Sequence, residues 1–211
     1  MKIYPTILIL LSFLFPSLLQ AEEHYLFSSI NSSNGLSGNR VHCITQLQDG
    51  RIVIMTDGLV NLYDGTSFHY LHIDDKNVYP LKDYHGYYHP YVENGKYLWL
   101  KDYQRLLLFD LDKECFVPNL EYFLKQQGIT TPISNFFVDS KNRYWFLTQK
   151  NQLIYKDPDL NNTKIFISDL TSLSEKTDKL LELATYEDQV FLSFQSGQTI
   201  CLNLNTKEKT F

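Results

Sequence analysis

A period of 46 residues constrains the fold of this chain more than any other feature of its sequence. One ladder of equivalent positions, each inside a short apolar run, consists of Val53, Trp99, Trp145 and Phe191. A second ladder begins nine residues later in each copy, at Leu62-Tyr63, Leu108-Phe109, Ile154-Tyr155 and Ile200-Cys201. Two ladders that keep one register over four copies indicate a repeat architecture, in which each unit packs against its neighbours.

Each copy has the pattern of a small antiparallel sheet. Alternating apolar runs flank Asp49-Gly50 and Asn94-Gly95, and such dipeptides favour β-hairpin turns because both residues tolerate positive φ. Weaker strand signals follow at residues 67–71 and 164–167, and residues 119–128 have the asparagine start and glycine stop of a short helix. Four antiparallel strands in each unit of about 40–50 residues predict an all-β fold, a β-propeller with blades at about residues 41–72, 88–118, 133–167 and 180–211.

The amino terminus has the order of a secretory signal peptide. Lys2 gives a positive start, an apolar run covers residues 7–15, and the small residue Ala21 precedes two glutamates. Pro16 interrupts the run, which is too short for a typical membrane-spanning helix. We therefore expect residues 1–21 to be removed and the chain to be exported, with an uncleaved signal anchor as the alternative.

Composition and missing motifs exclude several functions. The 24 acidic side chains outnumber the 19 Lys and Arg, for a net charge of −5, which argues against a nucleic-acid partner. Cys43, Cys115 and Cys201 cannot all pair within one chain, so buried free thiols are preferred over a single bridge. The sequence holds no GxSxG, HExxH, phosphate-binding loop or dinucleotide turn, so we expect neither catalysis nor a cofactor.

The first copy resembles the two-component regulator propeller repeat. That repeat runs N-G-L-S/P-x-N-x-V, D-x-x-G-x-I/L-W-I-G-T and G-L-x-x-Y/F-D-G, and its counterparts here are residues 34–41, 48–56 and 58–65. The third copy matches at Asp139, at residues 144–146, and at Thr148 and Tyr155, whereas copies two and four match loosely. Val53 replaces the usual tryptophan, and Met55 stands where the repeat has glycine, as does Leu147 in the third copy.

The resemblance implies an amino-terminal piece of the periplasmic sensor region of a Bacteroidetes hybrid two-component histidine kinase. In that family two seven-bladed propellers usually precede an immunoglobulin-like connector, one membrane helix and a kinase core. The ligands are generally polysaccharide breakdown products. On this interpretation membrane attachment and kinase activity belong to downstream regions, and a homodimer is one arrangement open to the full-length sensor.

The resemblance also assigns residues 22–40 to a ring-closing strand and a lead-in. Residues 25–30 are similar to the family's first strand, which pairs into the last blade. From Val41 onward the chain holds about 3.7 periods, so we expect a partial ring of about four blades. A closed four-bladed ring, with residues 25–30 as the missing outer strand, is the alternative. An open arc would expose apolar blade faces.

Several polar and aromatic residues fall in loops on one predicted face of the propeller, where ligands usually bind. The candidate ligand contacts are Asn39, Arg40, Asp57, Tyr87, Tyr88, His89 and Asp102. Asp57 and Asp102 are placed in turns that follow the second strand of their blades. Ordinary surface positions are the plainer interpretation of each residue.

Other candidates have structural explanations. His85 and His89 are four residues apart, but Gly86 and Pro90 oppose the helix that would make them a metal pair, so no metal is expected. The ladder tryptophans are assigned to packing between blades rather than to sugar stacking. The aspartates at positions 49, 64, 110 and 139 are assigned to turns, where their side chains accept backbone N–H groups.

The sequence therefore predicts a sensor segment that recognises a glycan fragment or another small extracellular ligand. A stand-alone secreted propeller that binds glycans or proteins is the first alternative. A propeller-fold lyase or glycosidase is the second alternative.

Overall fold

The computed structural model describes residues 27–57, 59–82, 86, 88–93, 95–157, 162–174 and 178–210. The predicted signal peptide lies outside these residues. The chain divides into one unit up to Ile30 and a second from Asn31 onward. All the strands described below belong to the second unit, and no helix in the described part of the chain is long and apolar enough to cross a membrane.

The first two sheets cover the first half of the second unit. The first sheet has the strand order β1 (Val41–Gln46), β2 (Ile52–Thr56), β3 (Leu59–Tyr63) and β4 (Phe68–His72). The strands of the second sheet are β5 (Tyr79–Pro80), β6 (His89–Glu93), β7 (Tyr97–Asp102), β8 (Arg105–Asp110) and β9 (Cys115–Phe116). Its order is β6-β7-β8, and the outer place beside β8 is divided between β5 and β9, which pair with its two ends.

The remaining two sheets repeat the plan. The third sheet orders β10 (Ile133–Val138), β11 (Tyr144–Thr148), β12 (Leu153–Asp157) and β13 (Asn162–Ile167). The fourth sheet orders β14 (Leu180–Tyr186), β15 (Gln189–Phe194) and β16 (Thr199–Asn203). A single antiparallel bridge between Leu202 and Lys209 starts a fourth strand there. The predicted all-β class with four-stranded antiparallel blades is confirmed.

The predicted helix is present as α1 (Leu120–Gln126) between the second and third sheets. Asn119 caps its amino end, since its side chain accepts the backbone N–H of Tyr122, and Gly128 follows its last turn with a φ of +83°. Leu120 and Leu124 lie on its buried side, which packs into the core of the second to fourth sheets. The helix is thus fixed by its caps and by one apolar face.

The sheets pack face to face through the first ladder. We call the face that carries the ladder residue the forward face of a sheet, and the opposite one the rear face. Val53 packs in one apolar cluster with Leu98 and Leu100 of the second sheet's rear face. The Trp99 ring lies 4.3 Å from that of Phe136 in the third sheet. The forward faces of the first two sheets are therefore covered by the rear faces of the sheets that follow them.

The arc of sheets does not close into a ring within the described residues. The innermost strands contact one another in chain order, β1 with β6, β6 with β10, and β10 with β14. Phe191, the last ladder residue, is only half-buried, because no further described sheet covers the fourth forward face. Residues 27–30 form no strand, while residues 25 and 26 are outside the described residues. Within the described residues the architecture is therefore a partial ring.

The second residue of each second-ladder pair lies on the rear face in the first two sheets and on the forward face in the last two. Leu62 and Leu108 are the cross-strand partners of Val53 and Trp99, so Tyr63 and Phe109 lie on the rear faces of their sheets. In the third and fourth sheets the partners of Trp145 and Phe191 are Tyr155 and Cys201, on the forward faces. The predicted equivalence of the four second-ladder positions is corrected accordingly.

Turn length explains the shift of the second ladder. Two residues separate β2 from β3 and β7 from β8, since Thr56 pairs with Leu59 and Asp102 with Arg105. After β11 and β15, three residues lie between the hydrogen-bonded residues that close the turn, Thr148 with Gln152 and Phe194 with Gln198. The third of them, Asn151 or Gly197, has a positive φ. One added residue moves a strand by one position and turns every side chain to the other face.

Both buried ladder tryptophans donate their indole N–H to a carboxylate six residues earlier. Trp145 Nε1 donates to Asp139 Oδ2 at 2.8 Å, and Trp99 Nε1 donates to Glu93 Oε2 at 2.9 Å. The equivalent positions of the other blades hold Leu47 and Thr185, and these blades have no tryptophan on the ladder. A buried indole N–H needs an acceptor, so the carboxylate accompanies the tryptophan.

Asp139 also orders the turn in front of Trp145. Its Oδ1 accepts the backbone N–H groups of Lys141 and Arg143, and its Oδ2 lies 2.7 Å from Arg143 Nε. Asp64 similarly accepts the N–H groups of Thr66 and Ser67. The interpretation of the aspartates as turn residues agrees with these bonds.

We predict that Asp139→Ala destabilises the chain by about 3–5 kcal/mol, because it leaves the buried Arg143 guanidinium uncompensated and the indole of Trp145 without an acceptor. Urea unfolding followed by tryptophan fluorescence measures the loss. Asp64→Ala, in an exposed turn, is the matched control and should cost far less. Equal losses in the two variants would show that the contacts of Asp139 with Trp145 and Arg143 contribute little.

Candidate functional site

The innermost strands all begin at the same end of the arc. The first residue of each is paired with the end of the neighbouring second strand, as in Val41 with Thr56, His89 with Lys101, and Leu180 with Phe194. We call this end, together with the turns that follow the second strands, the loop face. Five of the predicted contacts lie there: Arg40, Asp57, Tyr88, His89 and Asp102.

A bulge at the start of the innermost strand recurs in three of the sheets. The register slips between Val41 and Cys43, and again between Ile133 and Asn135 and at the start of β14. The extra residue of the first sheet is His42, and one period later Tyr88 stands just before β6. Bulges redirect side chains at the ends of strands, and the side chain of His42 at the first bulge meets the ring of Tyr88.

His42, Asp57 and Tyr88 form one contact group, which we call the His42 cluster. The His42 and Tyr88 rings stack with centroids 4.1 Å apart and planes at 13°. Nε2 of His42 lies 2.5 Å from Oδ1 of Asp57, whose side chain is 64% exposed. The cluster thus presents a carboxylate to solvent, and a partly buried histidine fixes its position.

Asp102 and Arg105 stand beside this cluster. The Arg105 Nε donates to Asp102 Oδ1 at 2.7 Å, and its Nη2 bonds the other carboxylate oxygen, which raises the pKa of Arg105. Burial raises the pKa of Tyr88, and the charge of Asp102 raises it further. The tyrosine hydroxyl therefore stays protonated at neutral pH.

The structure corrects the place of Asp102. It was predicted in the turn after the second strand, but it is the last residue of β7 and is fully buried. Tyr103 and Gln104 form the turn instead. The carboxylate of Asp102 therefore holds Arg105, whose half-exposed guanidinium faces the loop face.

A second group, the axial cluster, consists of His89, Tyr91, Lys101, Asn135 and Glu182. Lys101 is fully buried, and its Nζ donates to Asn135 Oδ1 at 3.1 Å and to the Phe136 carbonyl at 3.0 Å. Asn135 in turn donates to the carbonyl of Leu180 at 2.8 Å. One hydrogen-bond path therefore joins the second, third and fourth sheets along the inner edge.

The axial cluster also links two sheets that are not neighbours. Nδ1 of His89 lies 3.4 Å from Oε2 of Glu182, and the Tyr91 hydroxyl donates to Oε1 at 3.4 Å. Burial lowers the pKa of His89, although Glu182 opposes the change. Burial also lowers the pKa of Lys101 to about 7, and the Lys101 ammonium lies 4.0 Å from the centre of the Phe137 ring.

The other predicted contacts lie apart or cannot be placed. Asn39 is exposed, and its Oδ1 accepts the backbone N–H of Ser32 at 2.8 Å, so it orders the lead-in. Tyr87 and His85 are outside the described residues. Among the residues that the structure does describe, no three His, Cys, Asp or Glu side chains are arranged to hold a metal ion.

The three cysteines have different environments. Cys201 is buried and Cys43 is partly buried, and burial raises the pKa of the Cys43 thiol to about 11. Cys115 is exposed, contrary to the expectation of a buried thiol, because the short β9 lies at the outer edge of its sheet. All three are free thiols in the structure.

His42, Lys101 and Glu182 were not among the predicted contacts. The 46-residue step from Tyr88 leads back to His42, so the period itself could have identified it. Lys101 interrupts an apolar strand, which is a weak signal for a buried amine. Nothing near Glu182 in the sequence indicates that it meets a residue more than ninety positions earlier, as it does in the structure.

We predict that Lys101→Met changes how stability depends on pH between 7 and 9. The folded chain loses the Lys101 proton near pH 7, whereas the unfolded chain keeps it until about pH 10.5. The unfolded state therefore binds more protons in this window, and the contribution of Lys101 to stability rises with pH, by up to about 1.4 kcal/mol per pH unit.

Urea unfolding at pH 7, 8 and 9 measures this effect. The parent chain should gain stability with pH relative to Lys101→Met, by up to about 2 kcal/mol over the range. Lys76→Met removes an exposed lysine and should keep the parent's dependence. If Lys101→Met and the parent follow parallel curves, Lys101 does not titrate in this range.

The architecture is that of a β-propeller, and the solved structures that are similar to it include the following two. One is the extracellular domain of BT3049 from B. thetaiotaomicron, which is assigned to a hybrid two-component system, with a TM-score of 0.59 and 19% identity over 89% of this chain. Another is PorZ, a surface component of the type-IX secretion system of Porphyromonas gingivalis, with a TM-score of 0.55 and 14% identity over 85%.

The chain spans only 26% and 23% of the lengths of those two structures. No protein-family model matches the sequence, and no curated protein matches it significantly. At such low identity the structural similarity establishes the fold of the chain, a β-propeller, and not its activity.

Proposed function

We propose that this chain is the propeller segment of a periplasmic hybrid two-component sensor and that its loop face binds a polysaccharide-derived signal. The observation that carries the proposal is the His42 cluster beside the Asp102–Arg105 pair. The repeat resemblance in copies one and three and the similarity to the BT3049 extracellular domain support the sensor assignment. Export to the periplasm rests on the predicted signal peptide at residues 1–21.

The chemistry of the cluster suits a sugar. An aromatic ring packs against the C–H groups of a pyranose, while carboxylates accept from its hydroxyl groups and a guanidinium donates to them. Tyr88 supplies the ring, Asp57 an exposed acceptor, and Arg105 a donor. Since His42 and Asp102 hold these groups in place, little side-chain freedom is lost when a ligand binds.

The proposal assigns recognition to this chain, without catalysis or a cofactor. In the complete sensor the signal would reach the kinase through regions that this chain does not contain. The inner-edge path of Lys101 and Asn135 offers a route by which binding at the loop face changes the spacing of blades. A ligand shifts such an equilibrium only by its difference in affinity for the two arrangements.

We predict that the purified chain binds an oligosaccharide and that Asp57→Asn weakens binding at least about tenfold, the loss expected for a charge-assisted hydrogen bond. Isothermal titration with tetra- to hexasaccharides of xylan, galactan, arabinan and amylose measures the affinity. Glu121→Gln, in an exposed pair with Lys125 on α1, is the control and should bind like the parent. Binding that is insensitive to Asp57 would place the ligand elsewhere.

The sensor assignment needs a second experiment. In the source organism, deletion of the region that encodes residues 31–211 should abolish the transcriptional response to the polysaccharide that yields the bound oligosaccharide. A response that persists in the deletion strain, with binding intact in vitro, would favour a stand-alone glycan-binding propeller. Turnover of the oligosaccharide by the purified chain would favour the enzyme alternative.

A further inference from the structure

Four residues of the innermost strands occupy one equivalent position near the loop face. Their cross-strand partners, each 46 residues after the one before, are Met55, Lys101, Leu147 and Ser193. The equivalent residues themselves are Cys43, His89, Asn135 and Glu182. The regular step from Asn135 leads to Leu181, and only the pairing with Ser193 identifies Glu182 as the fourth member. The position therefore carries a polar side chain in the second, third and fourth sheets.

The axial cluster has a buried floor and a half-exposed rim at this position. The floor consists of Lys101 and Asn135, whose side chains are buried and hydrogen-bonded to each other. The rim consists of His89 and Glu182, whose side chains are each 41% exposed. Because the innermost strands begin at the loop face, the rim lies at the same end of the arc as the His42 cluster.

The carboxylate of Glu182 is held in place but is not saturated. Its Oε1 accepts the backbone N–H of Leu183 at 3.2 Å and the Tyr91 hydroxyl at 3.4 Å, and its Oε2 lies 3.4 Å from His89 Nδ1. A carboxylate accepts about four hydrogen bonds, and these three contacts are at or beyond the long end of the usual range. The group therefore keeps the capacity to accept a bond from a ligand.

Stability does not account for the placement of the rim pair. Ion pairs between half-exposed side chains contribute little to folding, since water and salt screen them. The pair of His89 and Glu182 is of this kind, whereas Lys101 and Asn135 already join the second, third and fourth sheets through buried hydrogen bonds. A carboxylate that is fixed and yet reachable from solvent suits a ligand site better than a structural one.

The rim adjoins the His42 cluster at the start of β6. Tyr88 and His89 are consecutive, so their Cα atoms are about 3.8 Å apart. The Tyr88 ring contacts His42 of the first sheet, whereas His89 contacts Glu182 of the fourth sheet. The two groups therefore lie on either side of one strand end, where a ligand longer than one sugar unit can contact both.

We propose that Glu182 and His89 form a second sugar subsite, which binds the units of an oligosaccharide that extend from the His42 cluster toward the fourth sheet. The carboxylate accepts from sugar hydroxyl groups, and the ring of His89, with its centroid 4.3 Å from that of Tyr91, borders the subsite. This inference rests on the proposed function of the loop face. It adds Glu182 to the ligand contacts and makes the ligand an oligosaccharide of at least two units.

A double-mutant cycle tests the second subsite. Glu182→Gln removes the charge and keeps the shape, so the affinity for the oligosaccharide that the parent chain binds should fall about tenfold. Because Asp57 contacts a different unit of that ligand, the losses in Asp57→Asn and Glu182→Gln should combine to about a hundredfold in the double variant. Isothermal titration with the tetra- to hexasaccharides of xylan, galactan, arabinan and amylose measures all three affinities.

Glu187→Gln is the matched control, since it removes an exposed glutamate at the other end of the same hairpin and should bind like the parent. Affinity like the parent's in Glu182→Gln overturns the subsite. A double variant no weaker than Asp57→Asn overturns it too, because Glu182 would then act only by holding the His42 cluster. In both cases the proposed function stands. A parent chain that binds none of the four classes contradicts the proposed function, and the subsite with it.

Discussion

The packing of one sheet against the next through a single ladder position determines most of this structure. Trp99 and Trp145 are fully buried on the forward faces of their sheets, in one apolar cluster with residues of the next rear face. Glu93 and Asp139 accept the hydrogen bonds of their buried indole N–H groups. In these two blades apolar packing and polar satisfaction are thus imposed together, and both the tryptophan and its carboxylate recur after 46 residues.

This packing also decides where function can lie. Because the sheets stack in register, the starts of their innermost strands meet at one end, and polar side chains from different blades come into contact there. Lys101 and Asp102 are adjacent on β7 and point to opposite faces, one toward the axial cluster and the other toward the His42 cluster. A single strand therefore supports both groups, so a shift of β7 would change them together.

The sequence period predicts the fold well because it records contacts between equivalent residues. Asn119 and Asp139 were also predictable, since caps and turns depend on neighbours a few residues away. The change of face within the second ladder was not predictable, because one extra residue in the turn that ends at Asn151 moves every side chain of the next strand to the other face. The division of the second blade's outer place between β5 and β9 depends on a segment before β6 that pairs with β8, and no repeat position predicts that pairing.

Residues of the candidate site were predictable only where the repeat pattern fixes their places relative to the strands. Asp57 and Tyr88 follow from their places before and after the strands, whereas the pairing of His89 with Glu182 depends on the curvature of the whole arc. The period relates equivalent residues of successive copies, so a contact between the second and fourth sheets has no signal in it.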